Sequence, residues 1–112
     1  MQANKVKVRF KDVRQGVTIY VAHPVYGIER WNVLERPHYN PCTRSFFVKV
    51  LENGKYVNRR SLADAGITRY SNGRRAFFKL KHAKEWARIW ATHKGFQKQQ
   101  AEHEKYIAYF RG

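Results

Sequence analysis

Basic side chains in two stretches of this sequence have the types and spacing that bind phosphate groups. In residues 5–11, lysine or arginine occupies every second position, and between residues 55 and 98 twelve basic residues accompany only two acidic ones. An aromatic ring beside such cations can also stack on an exposed base. The candidate binding residues are therefore Lys5, Lys7, Arg9, Lys11, Tyr20, Arg59, Arg60, Arg69, Arg74, Arg75, Lys79, Lys81, Lys84 and Arg88.

The first stretch alternates strictly between basic and apolar residues, which predicts a strand over 5–11 with Val6, Val8 and Phe10 on its buried face. The basic side chains would then follow one another at about 6.6 Å on the opposite face. Tyr20, in the next predicted strand, would share that face and stack on a base. The alternative is that these cations only protect an exposed edge strand from aggregation.

The second stretch includes Lys81, Lys84 and Arg88, which would share one side of a helix predicted over 82–93. Cations at the start of a helix are unfavourable by roughly 0.3–1 kcal/mol each, because the helix dipole is positive there. A bound anion would reverse that sign, so the pattern predicts a phosphate site at the helix start. The alternative is that the lysines point into water.

The elements that must position these side chains predict an α+β fold, in which an antiparallel sheet of five or six strands is packed by a C-terminal amphipathic helix. Residues 1–112 are expected to form one domain, with residues 1–80 mainly β. Ser61 and Gly66 would begin and end a short helical turn near 61–65. Alternating patterns and two Asn-Gly turns predict strands at 5–11, 17–21, 25–34, 45–51, 55–60 and 74–80. The first two strands are expected to form a hairpin, and residues 37–41 a loop.

Small and aromatic residues recur at helical spacing from residue 83, which predicts the helix over 82–93 and places Trp86 and Trp90 in the core. Residues 96–110 are also compatible with a helix. They predict a second helix, a continuation past a kink, or an arm that becomes ordered on a partner.

The amino-acid composition favours some classes of protein and argues against others. Lysine plus arginine number 23 against 8 acidic residues, so 15 positive charges remain, and such an excess is typical of proteins that meet a polyanion. The 17 aromatic residues (Trp 3, Tyr 7, Phe 7) indicate a folded chain instead of a disordered tail. No apolar run approaches the roughly 18 residues that span a membrane. With one cysteine, Cys42, the sequence favours a cytoplasmic protein.

Catalytic and metal-binding patterns are weak. The five histidines are scattered, and none pairs at the spacing that binds zinc on a helix. The nearest carboxylate pair, Glu102 and Glu104, would diverge on a helix. We therefore predict no catalytic residue, no metal, no cofactor and no enzyme activity.

Two resemblances follow from longer stretches. Residues 45–91, with an Asn-Gly hairpin, the strand Arg75–Leu80 and the following Lys81–Ala87, resemble the strand-strand-strand-helix plan of arm-type DNA-binding domains of tyrosine integrases, although residues 61–72 depart from it. That resemblance implies a sheet that enters the major groove while the helix packs behind it. The size, the basicity and residues Ile19–Pro24 followed by Gly27 are similar to small basic early proteins of T-even-like bacteriophages.

The sequence thus predicts a non-enzymatic protein that binds DNA or RNA through phosphates. The alternative is a small phage-type modulator that docks on an acidic host protein or on a ribonucleoprotein such as the ribosome or the transcription machinery.

Overall fold

A computed structural model describes residues 6–68 and 73–111, in which six antiparallel strands form one sheet and two helices follow it along the chain. This is the α+β fold that the sequence predicts. Neither of these helices is long and apolar enough to cross a membrane. The strands are β1 (Thr18–His23), β2 (Gly27–Val33), β3 (His38–Asn40), β4 (Ser45–Glu52), β5 (Tyr56–Ser61) and β6 (Arg75–Phe77), and the helices are α1 (Leu80–Trp90) and α2 (Lys94–Arg111).

The strands do not lie in chain order. β1 pairs with β2 on one side and with β6 on the other. β5 pairs along one edge of β4, and β2 and β3 pair one after the other along its opposite edge. Beyond β6, Lys7 forms a bridge to Phe77. The order across the sheet is therefore residues 6–8, β6, β1, β2 with β3, β4 and β5.

One face of the sheet, which we call the core face, carries the main hydrophobic core. Ile19, Trp31 and Val50 project from it and are inaccessible to solvent. Leu62 and Ala65, from the connection between β5 and β6, pack on this face and are equally buried. The connection thus crosses over the core and leads the chain to β1 instead of back to β5.

The start of this connection is the turn predicted near residues 61–65. The Ser61 hydroxyl accepts a hydrogen bond from the Ala63 N–H at 3.1 Å, as a capping residue does. Gly66 has a φ of +70°, and a Cβ there would overlap the carbonyl oxygen of Arg74. Both predicted roles are confirmed, and only glycine fits the second position.

The other face of the sheet receives α1, which contacts β1, β2 and β6. Ala83 is fully buried against Ala22 and Phe77, and Trp86 is partly buried beside them. Trp90, predicted in the core, is 40% exposed. It ends α1 and packs on rings of the next segment, so the apolar stripe extends past the sheet.

The strand predicted over 5–11 is wrong beyond residues 6–8, which pair with β6. After the bridge at Lys7, the chain turns into a 3₁₀ helix over Phe10–Asp12. The Asp12 carboxylate accepts the N–H of Arg9 at 3.0 Å and ends the extended conformation there. The predicted hairpin is wrong as well, because β1 pairs with β2 and β6.

Other boundaries shift by a few residues. The loop predicted at 37–41 contains the short strand β3, and the last predicted strand is reduced to the three residues of β6. Helix α1 begins two residues before the predicted start and ends three before the predicted end. Residues 96–110 lie in α2, a second helix that residues 91–93 separate from α1.

The Asn53-Gly54 turn fixes how β4 and β5 face each other. Both residues have positive φ, +52° and +73°, as the predicted turn type requires. Lys55 is added to the loop, so Glu52 pairs with Tyr56. This register determines which side chains of β5 reach each face of the sheet.

Candidate functional site

Acidic residues of the sheet gather on the core face around one arginine. The Arg60 guanidinium lies 4.7 Å over the Trp31 ring and reaches carboxylate oxygens of Glu52 at 2.6 Å and Glu29 at 3.1 Å. Burial lowers its pKa, but the hydrogen bond to Glu52 and the charges of Glu29, Glu52 and Asp64 outweigh burial and raise the pKa above its usual value. The charge of Arg60 is therefore neutralised by carboxylates of the protein itself. We exclude Arg60 from the phosphate-binding residues that the sequence predicts.

On the opposite face of the sheet, α1 covers β1, β6 and the first residues of β2. The helix does not cover the rest of this face. We call this uncovered part, on β2, β4 and β5, the open face. Strand register assigns its side chains, and one cation of α1 lies at its border. These residues are Arg30, Asn32, Phe47, Lys49, Leu51, Val57, Arg59, Ser61 and, from α1, Lys84.

Two cations of the open face are neighbours. Lys49 of β4 lies directly opposite Arg59 of β5, a position in which like charges repel. Within residues 6–68 and 73–111, neither of them, nor Arg30 or Lys84, forms an ion pair with a carboxylate. A polyanion on the open face would convert this repulsion into attraction.

A cavity of about 500 Å³, which we call the helix pocket, lies where the open face meets α1. The backbone of Arg30 is fixed at this point, since its backbone N–H donates to the Asn53 side-chain oxygen at 2.8 Å. Its guanidinium lies against Gly54, where an added Cβ would come within 2.8 Å of Nη2. The pocket is lined by Tyr20, Gly27, Ile28, Arg30, Asn53, Leu80 and Lys84.

A second cavity, of about 370 Å³, borders the other end of the open face. It lies between β3 and β5 and is lined by His38, Asn40, Phe47 and Arg59, among others. Arg59 therefore belongs both to the cationic pair and to this cavity. The open face is therefore a basic surface with a cavity at each of its two ends.

The phosphate site that the sequence predicts would lie at the first turn of α1. The residue before the helix, Lys79, is extended and makes no capping hydrogen bond through its side chain, and the first turn holds no acidic residue. Lys79, Lys81, Lys84 and Arg88 are all exposed. Of these four, Lys84 lines the helix pocket, so the structure brings one predicted helix cation to the open face.

The N-terminal cations lie elsewhere. Lys7, Arg9 and Lys11 are exposed, but they lie at or beyond the β6 edge of the sheet, and β5 forms the opposite edge. The predicted row is interrupted by the 3₁₀ helix. Lys5 and Arg69 fall outside the described residues.

The remaining predicted residues are placed around β1 and β6. The Arg74 guanidinium lies 5.8 Å from the Tyr26 ring, and Arg75, partly buried, pairs with Ala22. Tyr20 and Lys7 are both paired with Phe77, so they share one face of the sheet, as the sequence predicts. They are not neighbours, because β6 lies between them, and Tyr20 is partly buried beside α1, where it lines the helix pocket.

Sequence reasoning missed Arg30 and Lys49. A signal was present for Lys49, which is the one charged residue in the apolar run from Phe46 to Leu51. Strand alternation turns it away from the buried Val48 and Val50. Arg30 gave a weaker signal, because its strand alternates irregularly.

The described residues contain no group of three histidine, cysteine, aspartate or glutamate side chains arranged to hold a metal ion. Cys42 is exposed and free. The features that the structure concentrates on this side of the sheet are thus cations and two open cavities.

The model of the phage g100-like protein family matches residues 7–90. This match includes the whole sheet and α1, and it supports the phage resemblance found in the sequence. No curated protein and no solved structure matches the chain. The integrase resemblance is therefore not shown by a match, and β6 pairs with β1 instead of completing a three-stranded sheet with β4 and β5.

Proposed function

We propose that this chain, which belongs to the phage g100-like protein family, is a non-enzymatic nucleic-acid-binding protein that acts in the cytoplasm. In this proposal the phosphates of DNA or RNA lie along the open face and contact Arg30, Lys49, Arg59 and Lys84. Binding energy comes mainly from charge, as is usual for contacts to a phosphate backbone.

The observation that carries this proposal is the separation of charge between the two faces of the sheet. On the core face, Arg60 is matched by carboxylates. On the open face, the neighbouring Lys49 and Arg59 have no ion-pair partner among the described residues. Two unmatched cations placed opposite each other repel, whereas a phosphate bound between them would turn both contacts into attractive ones.

The test is the affinity of the double variant Lys49→Gln, Arg59→Gln for fluorescently labelled single-stranded and duplex oligonucleotides, measured by anisotropy. We expect affinity to fall roughly tenfold or more, because two charge-assisted phosphate contacts are lost. The matched control is Lys98→Gln, Lys105→Gln, which removes the same charge from α2. It should change affinity only about twofold, since distant exposed charges are screened. Equal losses in both double variants would contradict the proposal.

A second candidate function is the phage-type modulator that docks on an acidic host protein or a ribonucleoprotein. The observation in its favour concerns α2. This helix lies wholly outside the matched residues 7–90, and its Tyr106 and Tyr109 side chains are exposed. Tagged protein mixed with nuclease-treated host lysate separates the two functions. Recovery of one protein in stoichiometric amount favours the modulator, and loss of all partners favours direct nucleic-acid binding.

A further inference from the structure

We infer that the helix pocket binds one nucleotide of a single-stranded nucleic acid, with its base against Tyr20 and its phosphate between Arg30 and Lys84. This inference rests on the proposed function and adds a site and a substrate class to it.

The pocket has the size and composition that such a ligand needs. Its volume of about 500 Å³ lies within the range of roughly 300–1,000 Å³ that is usual for small-molecule sites. Apolar lining is supplied by Ile28 and by Leu80, which is 39% exposed. An exposed leucine at the rim of a cavity gains from contact with an apolar or aromatic ligand surface.

The polar groups of the pocket are few and are placed on two sides of it. Arg30 comes from β2, where its backbone N–H donates to Asn53 and its guanidinium lies close to Gly54, whereas Lys84 comes from the second turn of α1. Two cations from different elements that meet at one cavity provide a place for a phosphate. The Tyr20 ring, from β1, provides a stacking surface for a base.

This arrangement favours single strands over duplexes. In a duplex each base is stacked and paired inside the helix, so it cannot enter a cavity between a helix and a sheet. In a single strand the base is free, and its neighbours on the strand can continue across the open face toward Lys49 and Arg59. The same strand thus occupies the pocket and the basic surface.

The test uses adenosine 5′-monophosphate and inorganic phosphate as probes in amide chemical-shift titrations of the full chain. We expect the nucleotide to shift the amides of Tyr20, Arg30, Leu80 and Lys84, and to bind more tightly than phosphate. Lys84→Gln should weaken nucleotide binding roughly tenfold, because a charged contact to phosphate is lost. Lys81→Gln, one turn earlier on α1 and not part of the pocket lining, should change it by less than about twofold.

Two outcomes would overturn the inference: no shift at these amides, or equal affinity for the nucleotide and for phosphate. The proposed function is tested separately, because the Lys49→Gln, Arg59→Gln variant should keep nucleotide binding while its oligonucleotide affinity falls roughly tenfold or more. If that variant loses oligonucleotide binding while no nucleotide enters the pocket, this inference alone fails. If its oligonucleotide binding equals that of the wild type, the proposed function fails.

Discussion

His23 joins the turn between β1 and β2 to the rest of the protein. Its Nδ1 accepts hydrogen bonds from the N–H groups of Val25 at 3.0 Å and Tyr26 at 3.2 Å, so Nδ1 carries no proton. The ring is only 2% exposed and packs on Tyr26 and Phe96. Burial, together with the charge of Arg74, lowers the pKa of His23 to about 4.

This lowered pKa predicts a loss of stability in acid. The unfolded chain takes up a proton near pH 6.5 and the folded chain only near pH 4, so between these values the unfolded state binds more protons and stability falls as pH falls. The loss amounts to about 3 kcal/mol at most. His23→Asn keeps an acceptor oxygen for the turn but does not titrate. Urea unfolding of both proteins between about pH 7 and pH 4 should show a smaller loss in the variant, and equal losses would contradict this role of His23.

Arg59 and Arg60 are adjacent, but the structure gives them opposite roles. Arg60→Gln leaves the partly buried Glu29 and Glu52 without their cation and should lower the free energy of unfolding by about 2 kcal/mol. Arg59→Gln, on the open face, should change it by less than about 0.5 kcal/mol. For oligonucleotide affinity we expect the opposite order, with Arg59→Gln the more damaging. Similar destabilisation by both substitutions would show that the two faces are not separated as described.

At the scale of elements, the connection between β5 and β6 sets the strand order, because it crosses the core face before β6 pairs with β1. Gly66 is the position on which this path depends. Gly66→Ala should destabilise the protein by about 2–3 kcal/mol, from the positive φ and the overlap with Arg74.

Gly16→Ala is the matched control for this effect. Gly16 also has a positive φ, +92°, but a Cβ there would meet no atom within 4 Å. It should therefore cost less than Gly66→Ala in thermal or urea unfolding. If the two substitutions cost the same, close packing at Gly66 contributes nothing to the fold.

Much of the fold could be predicted from local patterns, because alternation and Asn-Gly turns act within one or two elements. β1, β2, β4, β5 and both helices follow from such patterns. The length of the strand predicted over 5–11 could not be derived from its own residues, because it depends on pairing with β6, which is short and distant in sequence. The pairing of β6 with β1 depends on a crossing connection and likewise has no local signal.

The candidate site could be predicted only in part, for a related reason. A tight two-residue turn at Asn53-Gly54 would place Arg60 on the open face and Arg59 on the core face. The structure adds Lys55 to the loop and reverses the two. One residue of register therefore decides which arginine is matched by carboxylates, and composition alone does not contain that information.

For the whole molecule, the net charge of +15 predicts a strong dependence of binding on salt. If the four cations of the open face and its border each contact one phosphate, log K should fall with log salt at a slope of about −2.8 on a single strand. Raising salt from roughly 50 to 200 mM would then weaken binding about 50-fold. Anisotropy titrations at several salt concentrations measure this slope, and an affinity that does not depend on salt would contradict a phosphate-binding surface.

Binding of a nucleic acid on the open face can be mapped by amide chemical-shift changes in the full chain on addition of a short thymidine oligonucleotide. We expect changes on β2, β4, β5 and the first two turns of α1, around Arg30, Lys49, Arg59 and Lys84. Changes confined to residues 7–11 or to α2, or no changes at all, would contradict binding on the open face.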